Sequence, residues 1–257
     1  MQTLAIIRPE KQLEDSKKVV ESFGYKTLTA TMVDIMPFRD SGWLTFLDEL
    51  TKGNVDYLIL TSANGARRCV QIGLTAASIP ESTHVVAIGP ATGTALLEEG
   101  LRVDLMPTQY SSRGIVQMLS NIEGKKIWIL RSAYGSSELI DGLKNGGATV
   151  NEVVLYTLKK RCGPPQRDFI KEVTEGDVAA ILFTSAMTVR AFFDCADKMG
   201  IRERLMLRLA NQLIGAIGIP TADALHACNV TVHAVPKDAT FTELVSAVHS
   251  TLLKRAL

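Results

Sequence analysis

The 257-residue chain repeats itself. The stretch LAIIR at residues 4–8 returns as IWILR at 127–131, and LILTS at 58–62 returns as ILFTS at 181–185. A longer stretch, VVAIGPATGTALLEEGLRV at 85–103, returns as LIGAIGIPTADALHACNVTV at 213–232. The first two pairs are 123 residues apart and the third is 129 apart, so one connection in the second copy is longer by six residues. Such a period is far above those of solenoid repeats. It means a duplicated domain, hence two similar lobes with a cleft between them, and clefts of this kind are where ligands usually bind.

Each copy alternates short apolar runs with helical patterns. Buried strands are read at 4–7, 57–60, 85–88 and 103–105, a long Thr- and Val-rich strand at 25–35, and helices at 11–23, 43–50, from 63, at 92–99 and from 112. The second copy gives strands at 127–130, 149–158, 178–183, 213–217 and 230–234, with helices at 136–144 and 166–174 and from 186, 221 and 240. The last helix opens on Thr240-Phe-Thr-Glu243, the pattern of a capping box. Continuous apolar strands alternating with helices imply a parallel sheet covered on both faces. The expected fold class is therefore α/β, as two similar flavodoxin-like, doubly wound parallel-sheet lobes of about five strands each.

Composition narrows the function classes. Hydrophobic residues make up 46% and charged residues 21%, as in an ordinary globular protein. No apolar run reaches the ~18 residues of a membrane span, and the first residues do not read as a signal peptide. A net charge of +1 offers no field for nucleic acid. Cys69, Cys162, Cys195 and Cys228 are scattered without CxxC spacing, which reads as reduced thiols in a cytoplasmic protein. His84, His226, His233 and His249 have no metal-ligand spacing, so no metal is expected. Walker A, GxGxxG and GxSxG motifs are absent.

Sheets of this kind bind ligands at the carboxyl ends of their strands. The residues there are Arg8, Thr61, Ser62, Ala63, Gly89, Thr92, Arg131, Ser132, Thr184, Ser185, Ala186, Gly218 and Thr221. Small, hydroxylated and glycine residues at helix starts leave N–H groups open to an anion, and arginine adds bidentate carboxylate recognition. The same residues have a plainer role: Ser62, Thr92, Ser185 and Thr221 read equally as N-caps, and the two arginines as surface charges. A chain lacking acid/base constellations either binds without chemistry or catalyses by holding a reactive substrate in shape.

The ordered set YLILTSANGARRCV, VVAIGPATGTALLEEGLRVDLMP, KKIWILRS, GATVNEVVLYTL, AAILFTSAMTVRAFF, IGAIGIPTADAL and VTVHAVPKDATFTELVSAV resembles the uroporphyrinogen-III synthase family across essentially the whole chain. The resemblance implies two lobes joined by a two-stranded antiparallel linker that the chain crosses twice. Lobe 1 would be 1–35 plus 165–257, lobe 2 would be 41–157, and 36–40 and 158–164 would be linkers. A plain cut near residue 124 is the alternative, although the long strands at 25–35 and 149–158 suit the crossing better. The implied reaction cyclises hydroxymethylbilane, a linear tetrapyrrole with eight carboxylates, with loss of water and inversion of ring D, and uses no cofactor. Tyr156 would sit over the cleft as proton donor to the departing hydroxyl. The strand-end residues above would contact substrate, with Arg8 and Arg131 pairing its acidic arms. Arg67, Arg68, Arg113, Lys159, Lys160 and Arg161 are candidates for a positive rim.

The second glycine turn, Ile-Gly-Ile-Pro-Thr, departs from the family's Ile-Gly-Pro-Thr-Thr, which makes contacts from Thr221 the least secure. The expected partner is this one small molecule, with neither nucleic acid nor membrane. A monomer in transient contact with the preceding pathway enzyme is the expected assembly. The alternative function is a non-enzymatic, two-lobed binding or sensor module for an anionic small molecule such as a tetrapyrrole.

Overall fold

The computed structural model describes residues 1–38 and 40–255; Arg39, in the first expected linker, lies outside the described residues. In chain order the elements are β1 (Thr3–Ile7), α1 (Leu13–Ser22), β2 (Lys26–Ala30), β3 (Val33–Pro37), α2 (Trp43–Thr51), β4 (Tyr57–Leu60), α3 (Ala63–Gln71), β5 (His84–Ala87), α4 (Pro90–Glu98), α5 (Ser112–Met118) and β6 (Lys126–Ser132). There follow α6 (Glu138–Asn145), β7 (Thr149–Lys160), α7 (Pro164–Glu175), β8 (Val178–Phe183), α8 (Ala186–Lys198), α9 (Arg202–Leu209), β9 (Leu213–Ala216), α10 (Ile219–His226) and α11 (Phe241–Arg255).

Among the described residues the strands form two sheets, ordered β2-β1-β8-β9 and β3-β7-β6-β4-β5. The first is parallel throughout, as is the β7-β6-β4-β5 part of the second. The chain divides into two compact units, Met1–Asp34 with Lys159–Leu257 (unit 1) and Ile35–Leu158 (unit 2). The 123-residue offset matches β1 and β2 with β6 and β7, while β8 and β9 match β4 and β5. Each unit therefore joins the first half of one copy to the second half of the other, and both sheets share one strand order.

The chain passes between units within two neighbouring strands, β3 and β7. The N–H of Phe38 donates to Leu155 (3.2 Å) and that of Arg161 to Met32 (2.8 Å), so residue numbers fall on one strand as they rise on the other, and the pair is antiparallel. Of the segments expected as linkers, residues 36–37 belong to β3 and 158–160 to β7, and α7 begins at Pro164.

The apolar runs form central strands because both sheet faces are covered. In unit 1, Ala5, Ile7, Ile181 and Phe183 pack into one core, and Leu4, Ile6, Ala180 and Leu182 into the other. Unit 2 alternates likewise, with Leu58, Leu60, Trp128 and Leu130 on one side and Ile59, Ile127 and Ile129 on the other. Each leucine, isoleucine or phenylalanine among them contributes ~1.5–3 kcal/mol by leaving water. Gly215 in β9 is required by packing: a Cβ there would lie 2.7 Å from Val248 and 3.0 Å from Leu244 of α11.

Several sequence expectations are corrected. The strand expected at 25–35 breaks at Thr31-Met32 into β2 and β3, which belong to different sheets. The Thr31 hydroxyl donates to the carbonyl of Arg8 (3.0 Å) and the Thr31 carbonyl accepts from Gln166 (2.9 Å), which turns the chain out of the first sheet. The strands at 103–105 and 230–234 reduce to single bridges, Val86 to Leu105 and Gly215 to Ala234. Helix α9 was not anticipated; it occupies the longer connection of the second copy, anchored by buried Leu205 and Leu209. At Thr240 half of the capping box forms, with the Glu243 N–H donating to the hydroxyl at 3.3 Å. Thr92 and Thr221 are not N-caps: Gly89 and Gly218 hold those positions, and both threonines lie inside the first turn.

The expectation of unpaired thiols fails for two of the four. Cys162, just before α7, is disulfide-bonded to Cys195 of α8. Cys195 faces the loop that enters α7, a proximity that 33 residues of separation conceal in the sequence. Cys69 and Cys228 are free. Burial pushes the Cys69 thiol up to about 12. In the native protein Cys228 should alkylate at neutral pH and Cys69 should resist until unfolding exposes it, which mass spectrometry of iodoacetamide-treated protein checks.

His233 supplies a pH dependence. Its Nδ1 accepts the Ile214 N–H at 3.1 Å, which requires a neutral ring. Burial, and then the charge of Arg255, push its pKa below the ordinary histidine value. The unfolded chain therefore binds a proton that the folded ring refuses. Stability from this site is full above about pH 6.5 and falls as pH drops below it. The urea midpoint should decline from pH 7.5 to 5.5, and less steeply in His233→Asn.

Candidate functional site

The expected site residues fall at the carboxyl ends of the parallel strands, six in unit 1 and eight, counting Tyr156, in unit 2. In unit 2, β4 ends at Leu60, leaving Thr61 to turn the chain and Ser62 to cap α3. The Ser62 Oγ accepts the Gly65 N–H at 3.1 Å, and Ala63 begins the helix. On the other side of β6, Tyr156 of β7 brings its hydroxyl to 2.8 Å from the same Oγ. The Tyr156 ring is 7% exposed and packs in the unit's core. A candidate proton donor and a candidate substrate-contact residue, 94 positions apart, thus form one hydroxyl pair at the sheet edge. The chain next to it is also fixed: a Cβ on Gly65 would lie 3.2 Å from Ser62 Oγ.

Next along the edge, β5 leads to Gly89, the N-cap of α4. Gly89 is buried, and Thr92 is 3% exposed with its N–H donating to Gly89. Ser132 lies at the end of β6, its Oγ accepting the Tyr134 N–H at 3.3 Å.

Unit 1 repeats this edge with other details. Ser185 caps α8 by accepting the Thr188 N–H (3.1 Å), and Ala186 starts the helix. The Thr184 hydroxyl donates to the carbonyl of Ile7 at 2.9 Å, tying β8 to β1. Gly218 caps α10, and Thr221 is 3% exposed.

The two matched arginines differ. Arg131 is bound internally: Nε donates to Glu152 at 2.5 Å and Nη1 to the carbonyl of Ser136 at 2.7 Å. Its charge is balanced, which removes it as a free receptor for an acidic arm. In the first copy Glu152 is replaced by Thr29 and Ser136 by Leu13. Among the described residues Arg8 accordingly has no carboxylate partner. Its Nη1 donates to Ser16 (3.2 Å), its Cζ lies 4.6 Å from the centre of the Phe241 ring, and its Nε is buried without a partner. Burial lowers its pKa, although arginine stays charged. The Nε–H is thus a charged donor that the chain itself leaves unsatisfied.

Four of the six rim candidates are paired: Arg67 with Glu98 and Arg113 with Glu138 (both 3.1 Å), Arg161 with Asp34 (3.1 Å), and Lys160 with Asp194. Arg68 has a buried, unpartnered Nε. Lys159 and Arg161 line a cavity of about 660 Å³ in unit 1 with Thr29, Thr31 and Gln166. The sequence signalled the basic run but not the cavity, which depends on the break between β2 and β3. Among the described residues no group of three or more His, Cys, Asp or Glu is placed to hold a metal ion, and no helix is long and apolar enough to cross a membrane.

A duplicated α/β protein with parallel sheets and hydroxylated strand ends is the class these features define. The family model of uroporphyrinogen-III synthase HemD matches residues 14–246, and the chain belongs to that family, whose enzymes serve tetrapyrrole biosynthesis. A relative in Methanothermobacter thermautotrophicus, named provisionally as a uroporphyrinogen-III synthase, is 28% identical over 95% of this chain and 96% of its own. A protein of Archaeoglobus fulgidus with the same provisional name is 29% identical over 76% of this chain and 79% of its own. The fold is also that of a mutant Thermus thermophilus uroporphyrinogen III synthase, with TM-score 0.74 and 20% identity over 99% of this chain and 100% of that one.

The Ser62–Tyr156 pair is testable by stability alone. Ser62→Ala should cost about 1 kcal/mol for the lost cap and share about 1 kcal/mol of coupling with Tyr156→Phe. Ser185→Ala should lose its cap without that coupling. Urea denaturation of the single and double variants checks this; additive losses at 62 and 156 would reject the pair.

Proposed function

We propose that this protein is a cofactor-free lyase that converts hydroxymethylbilane to uroporphyrinogen III. The single observation that carries the reading, beside family membership, is the 2.8 Å contact between Tyr156 Oη and Ser62 Oγ at the carboxyl edge of unit 2.

The chemistry follows from the hydroxyl pair. Electron release from a pyrrole nitrogen expels the terminal hydroxyl of the substrate. Tyr156 gives its proton to that oxygen, so water leaves and an azafulvene-type cation remains. Ser62 Oγ accepts from the Gly65 N–H, which leaves its own proton free to point at Tyr156 Oη and to stabilise the phenolate formed. Ring D attacks the cation through its substituted α-carbon and gives a spiro-pyrrolenine. The bond from that carbon to the methylene of ring C then breaks, and the freed methylene cation is captured by the other α-carbon of ring D, which inverts the ring. Closure releases one proton from a pyrrole carbon, and the phenolate takes it back. The net change is loss of one water.

The same substrate closes unaided to the type I isomer, so catalysis lies mainly in holding one geometry. Eight carboxylates need receptors on a chain of net charge +1. Arg8 of unit 1 is the first choice, because it follows β1 at the carboxyl edge and has no carboxylate partner among the described residues. The open Gly218 turn in unit 1 and the Ser62 and Thr61 hydroxyls in unit 2 are further contacts. Arg131, paired with Glu152, instead braces β6 against β7.

A coupled assay supplied with fresh hydroxymethylbilane should yield product enriched in isomer III. Isomer I alone, at the uncatalysed rate, would overturn the reading. Tyr156→Phe should lower turnover several-fold with the circular dichroism spectrum unchanged; unaltered kinetics would remove the phenol as proton donor.

A further inference from the structure

The third repeated stretch carries an asymmetry that the reaction above does not use. At the 129-residue offset Gly89 matches Gly218, and both glycines cap a helix in extended backbone, with φ of −177° and −175°. The same offset matches Tyr110 with Ala239. In unit 2 the Tyr110 side chain lies directly on the glycine: a Cβ on Gly89 would be 3.1 Å from Tyr110 Cβ and 3.3 Å from Cγ. In unit 1 the corresponding approach is 3.8 Å to the Ala239 methyl, and the turn stays open.

Tyr110 is nevertheless not a core residue, being 61% exposed. Its loop is built to hold it in place. The Ser111 N–H donates to the Gln109 carbonyl at 2.8 Å, and the Ser111 Oγ accepts the Gly114 N–H at 3.1 Å. Gly114 admits no side chain, since a Cβ would fall 1.9 Å from the Gln109 oxygen. Gly114 thus allows the tight loop that carries Tyr110, and Gly89 allows one edge of its ring to sit on the turn while the rest faces solvent. A large ring seated on a glycine at the strand-end edge, with most of its face uncovered, is suited to receiving a flat, apolar group.

Its place decides which group. Leu60 of β4 pairs with Ala87 of β5, and Ser62 and Gly89, each two residues past those paired ends, cap α3 and α4 on the same edge of the sheet. The ring over Gly89 therefore lies on the same carboxyl edge as the Ser62–Tyr156 pair, one strand over from Ser62.

We propose that Tyr110 is a substrate-contact residue, the platform against which unit 2 packs a pyrrole ring beside the Tyr156–Ser62 pair, and that this packing helps select isomer III. This rests on the synthase reading above. Electron-rich pyrroles and a phenol ring pack edge-to-face or offset, so the contact needs the ring and not its hydroxyl.

The test compares wild type with Tyr110→Phe, Tyr110→Leu and Tyr110→Ala, using hydroxymethylbilane and resolving the isomers of the product. Phe should match wild type. Ala should raise KM about tenfold and lower the isomer III fraction, with Leu between them. Gly89→Ala, which displaces the ring while keeping Tyr110, should share the Ala defect. Urea midpoints within experimental error of wild type would separate these effects from misfolding. An active wild type whose Ala variant keeps its KM and isomer ratio overturns this inference and leaves the synthase reading intact. A Phe variant as weak as Ala also overturns it, in favour of the hydroxyl. A wild type that yields only isomer I overturns both.

Discussion

Unit 1 depends on the parallel pairing of β1 with β8. Thr3 through Ile7 lie in register beside residues 178–183, with the rest of the sheet built outwards from that pair. Both strands are buried on both faces, so neither has a stable alternative in water. Everything placed at the edge of unit 1 follows from the pairing. Arg8 leaves β1 where Thr184 leaves β8, and the Thr184 hydroxyl closes on the Ile7 carbonyl. A slip of one residue would exchange the two apolar faces and carry Arg8 out of reach of Ser16 and Phe241.

Duplication supplies a scaffold, and the chemistry proposed above rests on places where the two copies stopped matching. The same strand-end arginine is neutralised by Glu152 in one copy and left with an unpartnered Nε in the other, where Thr29 stands at the matching position. The same glycine turn is roofed by Tyr110 in one unit and open beside Ala239 in the other. Serine caps survive in both copies because they serve the helices, whereas only Ser62 acquired a tyrosine partner. Matched positions therefore report mainly on folding, and mismatched ones are the better guide to function.

Much of this was legible in the sequence, for identifiable reasons. A parallel strand is an uninterrupted apolar run and announces itself, as at residues 4–7 and 58–60. Repeat spacing then located the loops at the strand ends and so most of the candidate site residues. What stayed hidden was decided by contacts distant in sequence. The break after Ala30 is made by hydrogen bonds from Thr31 to Arg8 and from Gln166 to Thr31. The fate of Arg131 turns on Glu152, across a strand pair. Helix α9 has a short, heavily charged sequence, RERLMLRL, whose helical stripe is only Leu205 and Leu209. The Cys162–Cys195 bond has no local signature at all.

The permuted arrangement also has a meaning for synthesis on the ribosome. Unit 2 is one continuous segment and can close its core as soon as its last strand emerges. The first β-α-β of unit 1 leaves the ribosome before it, yet its buried face has no partner until β8 has been made. At ordinary translation rates that interval is on the order of tens of seconds. Through it the nascent chain carries an uncovered LAII strand next to a finished domain, which is the stage at which a chaperone, or a neighbouring chain, has the most to bind.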